Sequence, residues 1–329
     1  MDAGPPARVL VSGDGERRVG EQRGGVPGNA EGREASGGTP GDAELLEVAV
    51  QAATMAGGLL MERVRAGGEK EVSSKSTPTD LVSEADLASE HAIKALLAER
   101  RPNDGFVGEE GGSEEGTSGL EWVVDPLDGT VNFLFGIPQW CVSVAVRDAA
   151  GMTVAGAVYD PNRGELFTAT RDGEARLRGG VGDDDDRGAL VAGTTGVVGR
   201  AEWGERDALG LRGSRRVELA TAMVATGFAY DARVRAAQAK VLARAIPRVR
   251  DIRRLGSAAL DLCWTAAGRF DGYFERTVKP WDIAAGALIC ERAGLRVVDL
   301  EEHEDLPYGI LAAPEGLAGK LLELVGGPA

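Results

Sequence analysis

The segment that most restricts the fold is residues 122–133, with the sequence WVVDPLDGTVNF. Its three apolar residues predict a buried strand that ends at Asp125, and the proline and glycine that follow predict a rigid turn. Asp128 lies in that turn, and Thr130 opens a possible helix. Such a turn holds two carboxylates close together with a backbone carbonyl between them, the oxygen ligands that Mg²⁺ prefers. Simple capping of the turn by the two aspartates is the alternative.

The backbone N–H groups of Gly129 and Thr130 would face whatever the metal holds, and a helix start at this point favours an anion, phosphate above all. The overall negative charge of the chain, taken alone, argues against binding of a phosphate. The 52 acidic and 37 basic residues give a net charge of −15, which disfavours nucleic acid as a partner. Bound metal ions would reverse the local sign, so a phosphate ester remains a fitting substrate.

The scarcity of histidine limits the possible chemistry. The chain has only two histidines, His91 and His303, and neither lies in a nucleophile motif, so carboxylates are expected to do the work. Three distant cysteines form neither a disulfide framework nor a C-x-x-C metal site. With no signal sequence and no run of some 18 to 20 apolar residues, we expect a cytoplasmic protein that does not enter the membrane.

The pattern along the chain predicts an α/β protein. Residues 1–41 are rich in Gly, Arg, Glu and Pro and are expected to form a disordered tail. Helical spacing then starts at Asp42, and a second helix fits 84–100. Meandering strands fit 141–146, 152–159 and 166–170. The acidic run 183–186 is interpreted as a boundary. Beyond it strands and helices alternate, which indicates helices layered on a sheet. The strands are expected over 217–225, 249–255, 273–274, 295–300 and 310–312, and the helices over 232–245, 258–267, 283–292 and 315–325.

Several motifs, taken together and in order, resemble the inositol monophosphatase family and particularly its bacterial SuhB-like members. They are DLV-x₃-D at 80–86, GEE at 108–110, DPLDGT-x-NF at 125–133, GSAA at 256–259 and WD-x-A-x-G at 281–286. The resemblance covers nearly all of 42–329. It departs from the family at Val131, where many relatives repeat threonine, and in the tail and the acidic run.

The resemblance implies a layered αβαβα sandwich in two subdomains. The first, an N-terminal α+β metal-binding subdomain, is expected over 42–187. The second, a C-terminal α/β subdomain over 188–329, would complete the active site. A homodimer is also implied.

The family pattern also implies a site for two to three Mg²⁺ ions. Glu109, Asp125 and the Leu127 carbonyl would hold the first ion. Asp125, Asp128 and Asp282 would hold the second, and a weaker third ion would lie near Glu109. Clustered metals of this kind neutralise phosphate oxygens and generate hydroxide near neutral pH.

Roles in catalysis and substrate binding follow from the same resemblance. Glu109 and Thr130, with Asp86 nearby, would orient the attacking water, so no protein nucleophile is needed. Substrate contacts are expected from Asp128, Gly129, Thr130, Ala258, Glu275, Asp282 and Lys75. Glu275 matches the family position that contacts an inositol hydroxyl; an ordinary surface glutamate is the alternative.

The expected activity is Mg²⁺-dependent hydrolysis of myo-inositol monophosphate. The resemblance also implies an enzyme that lithium inhibits. Histidinol phosphate, fructose 1,6-bisphosphate and 3′(2′),5′-bisphosphate nucleotides are alternative substrates, because relatives share the metal residues. A non-enzymatic alternative is a regulator that binds the transcription machinery, as some SuhB-like relatives do.

Overall fold

The computed structural model describes residues 41–67, 72–74, 81–179, 208–303 and 305–327. Four features named above lie outside these ranges: the tail through residue 40, Lys75, the acidic run 183–186 and the subdomain boundary at 187–188. The two subdomains and the role of Lys75 therefore stay predictions.

The larger sheet has eight strands in the order β10-β9-β8-β7-β6-β5-β3-β4. Its strands pair antiparallel, except that β3 and β5 run parallel. Two helices, α1 and α2, pack against each other on one face of this sheet. Helix α1 contacts β6, β7 and β8, and α2 contacts β5. The strands are β3 (Gly105–Gly108), β4 (Gly112–Glu114), β5 (Glu121–Asp128), β6 (Cys141–Arg147), β7 (Thr153–Asp160), β8 (Glu165–Thr170), β9 (Arg176–Gly179) and β10 (Ala208–Gly210); the helices are α1 (Asp42–Ala66) and α2 (Glu84–Arg100).

The smaller sheet has five strands in the order β12-β11-β13-β15-β14, parallel around β11 and antiparallel around β15. A separate two-stranded ribbon pairs β1 with β2. The remaining elements are β1 (Val72–Ser74), β2 (Leu81–Ser83), α3 (Thr130–Leu134), β11 (Met223–Thr226), α4 (Ala232–Ala245), β12 (Asp251–Arg253), α5 (Ala258–Ala266), β13 (Gly272–Arg276), α6 (Pro280–Arg292), β14 (Arg296–Leu300), β15 (Gly309–Ala313) and α7 (Glu315–Val325).

Five layers result from these contacts. The pair α1 and α2 covers the outer face of the larger sheet, and α5 and α6 fill the space between the two sheets. Helices α4 and α7 pack together on the far side, where α7 contacts β13 to β15. The predicted αβαβα sandwich is therefore confirmed. The largest apolar cluster lies in the central layer, where α5 and α6 meet both sheets.

Helix α6 lies very close to the larger sheet. A β-carbon built on Gly156 of β7 would stand 2.9 Å from the Cα of Ala285 in α6. Only glycine at this strand position allows the helix backbone to approach the sheet so closely. The position of α6, and of the side chains at its start, is thus set by contact with β7.

Helix α1 has the length and hydropathy of a membrane-spanning helix, although the sequence contains no unbroken apolar run of that length. Its apolar side, which includes Leu45, Val48 and Leu60, is buried against β6, β7 and α2. Since that packing accounts for its apolar residues, α1 is a core helix.

Most predicted elements are present, with different ends. The predicted strand over 217–225 is reduced to β11, because residues 219–221 form a 3₁₀ turn instead. The predicted strand over 249–255 is limited to β12. Helix α6 begins at Pro280, three residues before the predicted start at Ile283, since proline is well suited to the first turn of a helix.

Candidate metal and phosphate site

The site forms where two parallel strands end side by side. Strand β3 pairs with β5 so that Gly108 lies opposite Val124. The next residues, Glu109 and Asp125, therefore leave the sheet at the same edge. Pairing of β5 with β6 is interrupted between Asp125 and Asp128, which releases the Pro126–Leu127 peptide from the ladder. The predicted strand is present but does not end at Asp125: β5 continues to Asp128, and the expected turn is an irregularity within the strand followed by Gly129. This arrangement brings three carboxyl groups to one edge.

Gly129 closes the turn with a φ of +98°, a left-handed conformation that favours glycine. The short helix α3 follows from Thr130, as predicted. A β-carbon on Gly129 would also stand 2.9 Å from the Gln139 carbonyl oxygen. Both the backbone angle and the limited space therefore require glycine here.

Asp86 and Thr130 meet inside the site although they come from different helices. The Thr130 hydroxyl lies 2.8 Å from Asp86 Oδ1 and 3.1 Å from the Leu127 carbonyl oxygen. Asp86 is fully buried, and its Oδ2 accepts hydrogen bonds from the backbone N–H and the hydroxyl of Ser83. These bonds fix the Thr130 side chain beside the Leu127 carbonyl oxygen, which the family resemblance implies as a metal ligand.

Asp128 is held by the N-terminal end of α5. Its Oδ2 accepts from the Ser257 hydroxyl at 2.7 Å and from the Ala259 N–H at 2.7 Å, and its Oδ1 accepts from the Ala258 N–H at 3.2 Å. The buried Cys141 thiol lies 3.7 Å from Oδ2. Asp128 therefore joins the edge of the larger sheet to the central helical layer.

Asp282 is the third residue of α6, and Lys279 is the N-cap of this helix. Its Oδ2 accepts a hydrogen bond of 2.6 Å from the N–H of Lys279, the residue before the helix. The side chain is half-buried. Helix α6 thus presents this carboxylate from the central layer.

These carboxyl groups act on one another electrostatically. Burial raises the pKa of Asp125 well above its usual range, and the charges of Glu109, Asp128 and Asp282 raise it further. Burial likewise raises the pKa of Asp282, with Glu109 and Asp128 adding to the shift. Asp128 is raised to a pKa of about 6 by burial, against the hydrogen bonds that lower it. Removal of like charges or addition of cations would relieve this repulsion.

The donor set fits a hard divalent cation. It consists of carboxylate oxygens and one backbone carbonyl, which suit Mg²⁺. Asp125 is 1% exposed, and its Oδ1 accepts a hydrogen bond of 3.0 Å from the Leu127 N–H. Within the described ranges no three His, Cys, Asp or Glu side chains already stand in coordination geometry. Instead, Asp128, Asp282 and Asp86 accept hydrogen bonds from the nearest donors.

A second acidic group lies at the carboxyl end of β13. The Glu275 carboxylate accepts a hydrogen bond of 3.0 Å from the buried Tyr273 hydroxyl. Burial raises the pKa of Glu275 to about 7, with opposition from Tyr273 and Arg254 and a smaller contribution from Asp128. A β-carbon on Gly227 would lie only 1.9 to 2.2 Å from the atoms of this carboxyl group. Glu275 is therefore held near the Asp128 side of the site, not on the outer surface.

The predicted residues thus gather in one region wherever the structure describes them. Three of them, Asp125, Leu127 and Asp128, form the irregular end of β5. The others lie around it: Glu109, Thr130, Asp86 and Asp282, with Ala258 beside Asp128 and Glu275 nearby. Sequence reasoning missed Ser83 and Gly227, and it quoted Ser257 within the GSAA motif without giving it a role. The S-x-x-D pattern at 83–86 is a helix-capping signal that could have revealed Ser83. No local pattern marks Gly227, whose importance depends on a residue 48 positions away.

Comparisons with known proteins agree with this geometry. The model of the "Inositol monophosphatase family" matches residues 42–326. The inositol-1-monophosphatase SuhB of Mycobacterium tuberculosis is 41% identical over 265 residues, covering 78% of this chain and 82% of that protein. The Nus factor SuhB of Escherichia coli is 38% identical over 257 residues, covering 78% and 85%. The crystal structure of SuhB from Bartonella henselae aligns with a TM-score of 0.71 at 35% identity, covering 86% and 98%.

Proposed function

The chain belongs to the inositol monophosphatase family, and on that basis we propose that it is a Mg²⁺-dependent phosphomonoesterase that hydrolyses myo-inositol monophosphate to myo-inositol and phosphate. The observation that carries the proposal is the convergence of Asp125, Asp128, Asp282 and Glu109. The charges of Glu109 and Asp128 raise the pKa values of both Asp125 and Asp282. Such a cluster is unfavourable without cations, so its presence favours a metal-dependent reaction.

In the proposed site, Glu109, Asp125 and the Leu127 carbonyl would hold one Mg²⁺, and Asp125, Asp128 and Asp282 a second. A third ion near Glu109 completes the proposed set. Bound Mg²⁺ would supply neutralisation of the phosphate charge and activation of water. The hydrogen bonds from Ser257 and the α5 backbone would orient Asp128, and the Lys279 N–H would orient Asp282.

The protein's own groups would position the attacking water. The Thr130 hydroxyl lies between Asp86 and the Leu127 carbonyl, so it can hold a water oxygen while Asp86 fixes its orientation. Glu109, at the end of β3, would accept the proton that the water loses. Backbone N–H groups of Gly129 and Thr130 would donate to phosphate oxygens. No residue needs to form a covalent intermediate.

The alcohol end of the substrate would face Glu275. Its carboxylate, fixed by Tyr273 and Gly227, can accept from a ring hydroxyl. Asp128, Asp282 and Ala258 would line the same side, and Lys75 is proposed near the third metal. A polyol substrate suits this acceptor, whereas histidinol phosphate, fructose 1,6-bisphosphate and bisphosphate nucleotides remain the competing substrates.

A regulatory role is the second candidate, because a relative with 38% identity is called a Nus factor. This role would require a surface that binds transcription proteins and would not require the carboxylate cluster. For either role we propose a cytoplasmic homodimer.

The decisive experiment is a phosphatase panel on the four substrates named above, either at saturating Mg²⁺ or in excess EDTA without added Mg²⁺. The proposal expects inositol monophosphate to have the highest kcat/KM and EDTA to abolish turnover. Faster turnover of histidinol phosphate would overturn the substrate assignment. Absence of any metal-dependent turnover, with binding to transcription proteins retained, would favour the regulator.

A further inference from the structure

Glu90 of α2 is a buried glutamate that the proposed reaction does not use. It is 4% exposed and lies one helical turn after Asp86, on the same face of the helix. Ser89 is also buried on this face, and its hydroxyl donates a 2.8 Å hydrogen bond to the Pro126 carbonyl oxygen. This face of α2 therefore contacts the irregular end of β5, and Glu90 extends it towards β3.

Glu90 is hydrogen-bonded to the hairpin that carries Glu109. Strands β3 and β4 pair antiparallel with Gly108 opposite Gly112, so Glu109 lies in the short loop between them. Glu90 Oε2 accepts a hydrogen bond of 2.9 Å from the backbone N–H of Glu110, the residue next to Glu109. A carboxylate of α2 thus holds the loop beside a proposed metal ligand.

Two glycines leave the space that the Glu90 carboxylate occupies. A β-carbon on Gly108 would stand 2.3 Å from Glu90 Oε2, and one on Gly111 would stand 2.3 Å from its Oε1. These glycines lie on either side of the pair Glu109 and Glu110. Their lack of a side chain allows the carboxylate to approach the loop backbone this closely.

Lys94, one further turn along α2, balances the charge of Glu90 and extends the contact to β4. Its Nζ lies 3.7 Å from Glu90 Oε1, 3.2 Å from Glu114 Oε1 and 4.6 Å from the centroid of the Phe106 ring. Glu114 belongs to β4 and Phe106 to β3, so the lysine contacts both strands of the hairpin. A buried carboxylate without a counter-charge is costly. Lys94 therefore makes Glu90 compatible with a site that is itself acidic.

From these contacts we propose that Glu90 is a positioning residue that fixes Glu109 for the metal ions. It acts through the backbone of the loop, not by contact with metal or substrate. Loss of a group that orients a metal ligand lowers metal affinity by about 10- to 100-fold. The inference rests on the metal site of the proposed function, and it adds a residue of α2 on which Mg²⁺ affinity depends.

The test compares two variants of Glu90 with a control on the same helix. Glu90→Met removes both carboxylate oxygens at similar length, whereas Glu90→Gln keeps a carbonyl oxygen that can accept from the Glu110 N–H. Glu99→Met changes an exposed glutamate of α2 and is the matched control. Calorimetry measures Mg²⁺ binding without substrate, and hydrogen exchange measures protection of the Glu110 amide. Steady-state kinetics on inositol 1-phosphate are recorded across a Mg²⁺ titration.

We expect Glu90→Met to raise the Mg²⁺ dissociation constant, and the Mg²⁺ concentration for half-maximal activity, by about tenfold. The KM for inositol 1-phosphate at saturating Mg²⁺ should stay within about twofold of the wild type, because the substrate contacts are unchanged. The Glu110 amide should exchange faster. Glu90→Gln should restore most of the Mg²⁺ affinity, and Glu99→Met should bind Mg²⁺ as the wild type does. In a Glu109→Gln background, Glu90→Met should have little further effect on the dissociation constant.

The proposal fails if Glu90→Met binds Mg²⁺ as tightly as the wild type, or if Glu90→Gln is as impaired as Glu90→Met. It also fails if the effects of Glu90→Met and Glu109→Gln on the dissociation constant multiply. If Glu90→Met does not fold, Gly111→Ala displaces the same carboxylate from the side of the loop. Unchanged Mg²⁺ affinity in Gly111→Ala would then overturn the proposal, and weakened affinity would support it.

The same measurements separate this role from the proposed function. Mg²⁺ binding by the wild type without turnover of any phosphate ester would overturn the proposed phosphatase and leave the role of Glu90 in metal binding standing. Absence of Mg²⁺ binding by the wild type would overturn both.

Discussion

The Ser257 hydroxyl donates a 2.7 Å hydrogen bond to Asp128 across 129 residues of sequence. The same serine caps α5, whose Leu260 N–H lies 3.4 Å from its hydroxyl oxygen. One side chain therefore begins the helix and orients a carboxylate of the proposed metal site. Removal of this hydroxyl should affect both metal affinity and stability.

Ser257→Ala is expected to raise the Mg²⁺ concentration for half-maximal activity by about tenfold, the usual effect of losing a group that orients a metal ligand. The lost helix cap should cost about 1 kcal/mol of unfolding free energy. Magnesium titrations of activity and urea unfolding measure the two effects. Ser257→Thr keeps the hydroxyl and is the matched control. An unchanged Mg²⁺ requirement in Ser257→Ala would show that the serine serves only the helix.

Asp125→Asn should lower kcat/KM by about a thousandfold, because a ligand shared by two proposed metals is weakened. The metal-free variant should be at least as stable as the wild type, since a buried carboxyl surrounded by like charges becomes neutral. Thermal unfolding with and without Mg²⁺ should show that the stabilising effect of the metal is largely lost. Asp251→Asn changes an exposed aspartate on β12 that is paired with Arg253; it is the control and should behave as wild type. Full turnover by Asp125→Asn would refute the metal assignment.

Metal-free protein should lose stability as pH rises from about 4 to about 7. Asp128 and Glu275 have pKa values raised from 3.8 to about 6 and from 4.5 to about 7. In this window the folded chain keeps protons that the unfolded chain has released, so the unfolding free energy falls with increasing pH. Chemical denaturation in EDTA across this range measures the slope. Added Mg²⁺ should stabilise more at pH 7 than at pH 5, and a rising stability in EDTA would contradict the folded-state pKa values.

Thr130→Val removes a hydroxyl with almost no change of shape. The hydroxyl is 2.8 Å from Asp86 and 3.1 Å from the Leu127 carbonyl oxygen, so its loss should disturb the proposed water position. We expect kcat to fall by about a hundredfold with little change in KM. Steady-state kinetics on inositol monophosphate provide the measurement, and Thr130→Ser should recover most of the rate. A selective rise in KM would place Thr130 in substrate binding alone.

Gly227→Ala introduces a β-carbon into the space of the Glu275 carboxyl group. The carboxylate must move, and the KM for inositol monophosphate should rise by about tenfold. The KM for phenyl phosphate, which has no ring hydroxyl to donate to Glu275, should rise less. Gly319→Ala is the matched control, because its new β-carbon meets nothing within 4 Å on α7. Equal kinetics for the two variants would show that Glu275 has no part in substrate binding.

The proposed ligand positions could be predicted because they lie in short local patterns. Asp125, Asp128 and Gly129 share one turn, where strand, proline and glycine act within a few residues. The αβαβα layering followed from the resemblance, and the alternating elements supported it. Local signals were weaker at element ends: α6 starts at Pro280, and residues 219–221 form a 3₁₀ turn where a strand was expected.

The contacts that hold the site together could not be predicted in the same way. Ser257 and Gly227 matter because of residues 129 and 48 positions away, and those distances are closed only by packing of the central layer.

The close approach of Gly156 to Ala285 means that substitutions far from the proposed phosphate-binding groups can also disturb the site. A side chain added at Gly156 would push α6 away from β7, and Asp282 would move with the helix. Selection for catalysis should therefore act on this strand position, although it has no chemistry of its own. In a library of variants, positions under α6 should tolerate exchange as poorly as the acidic residues they support.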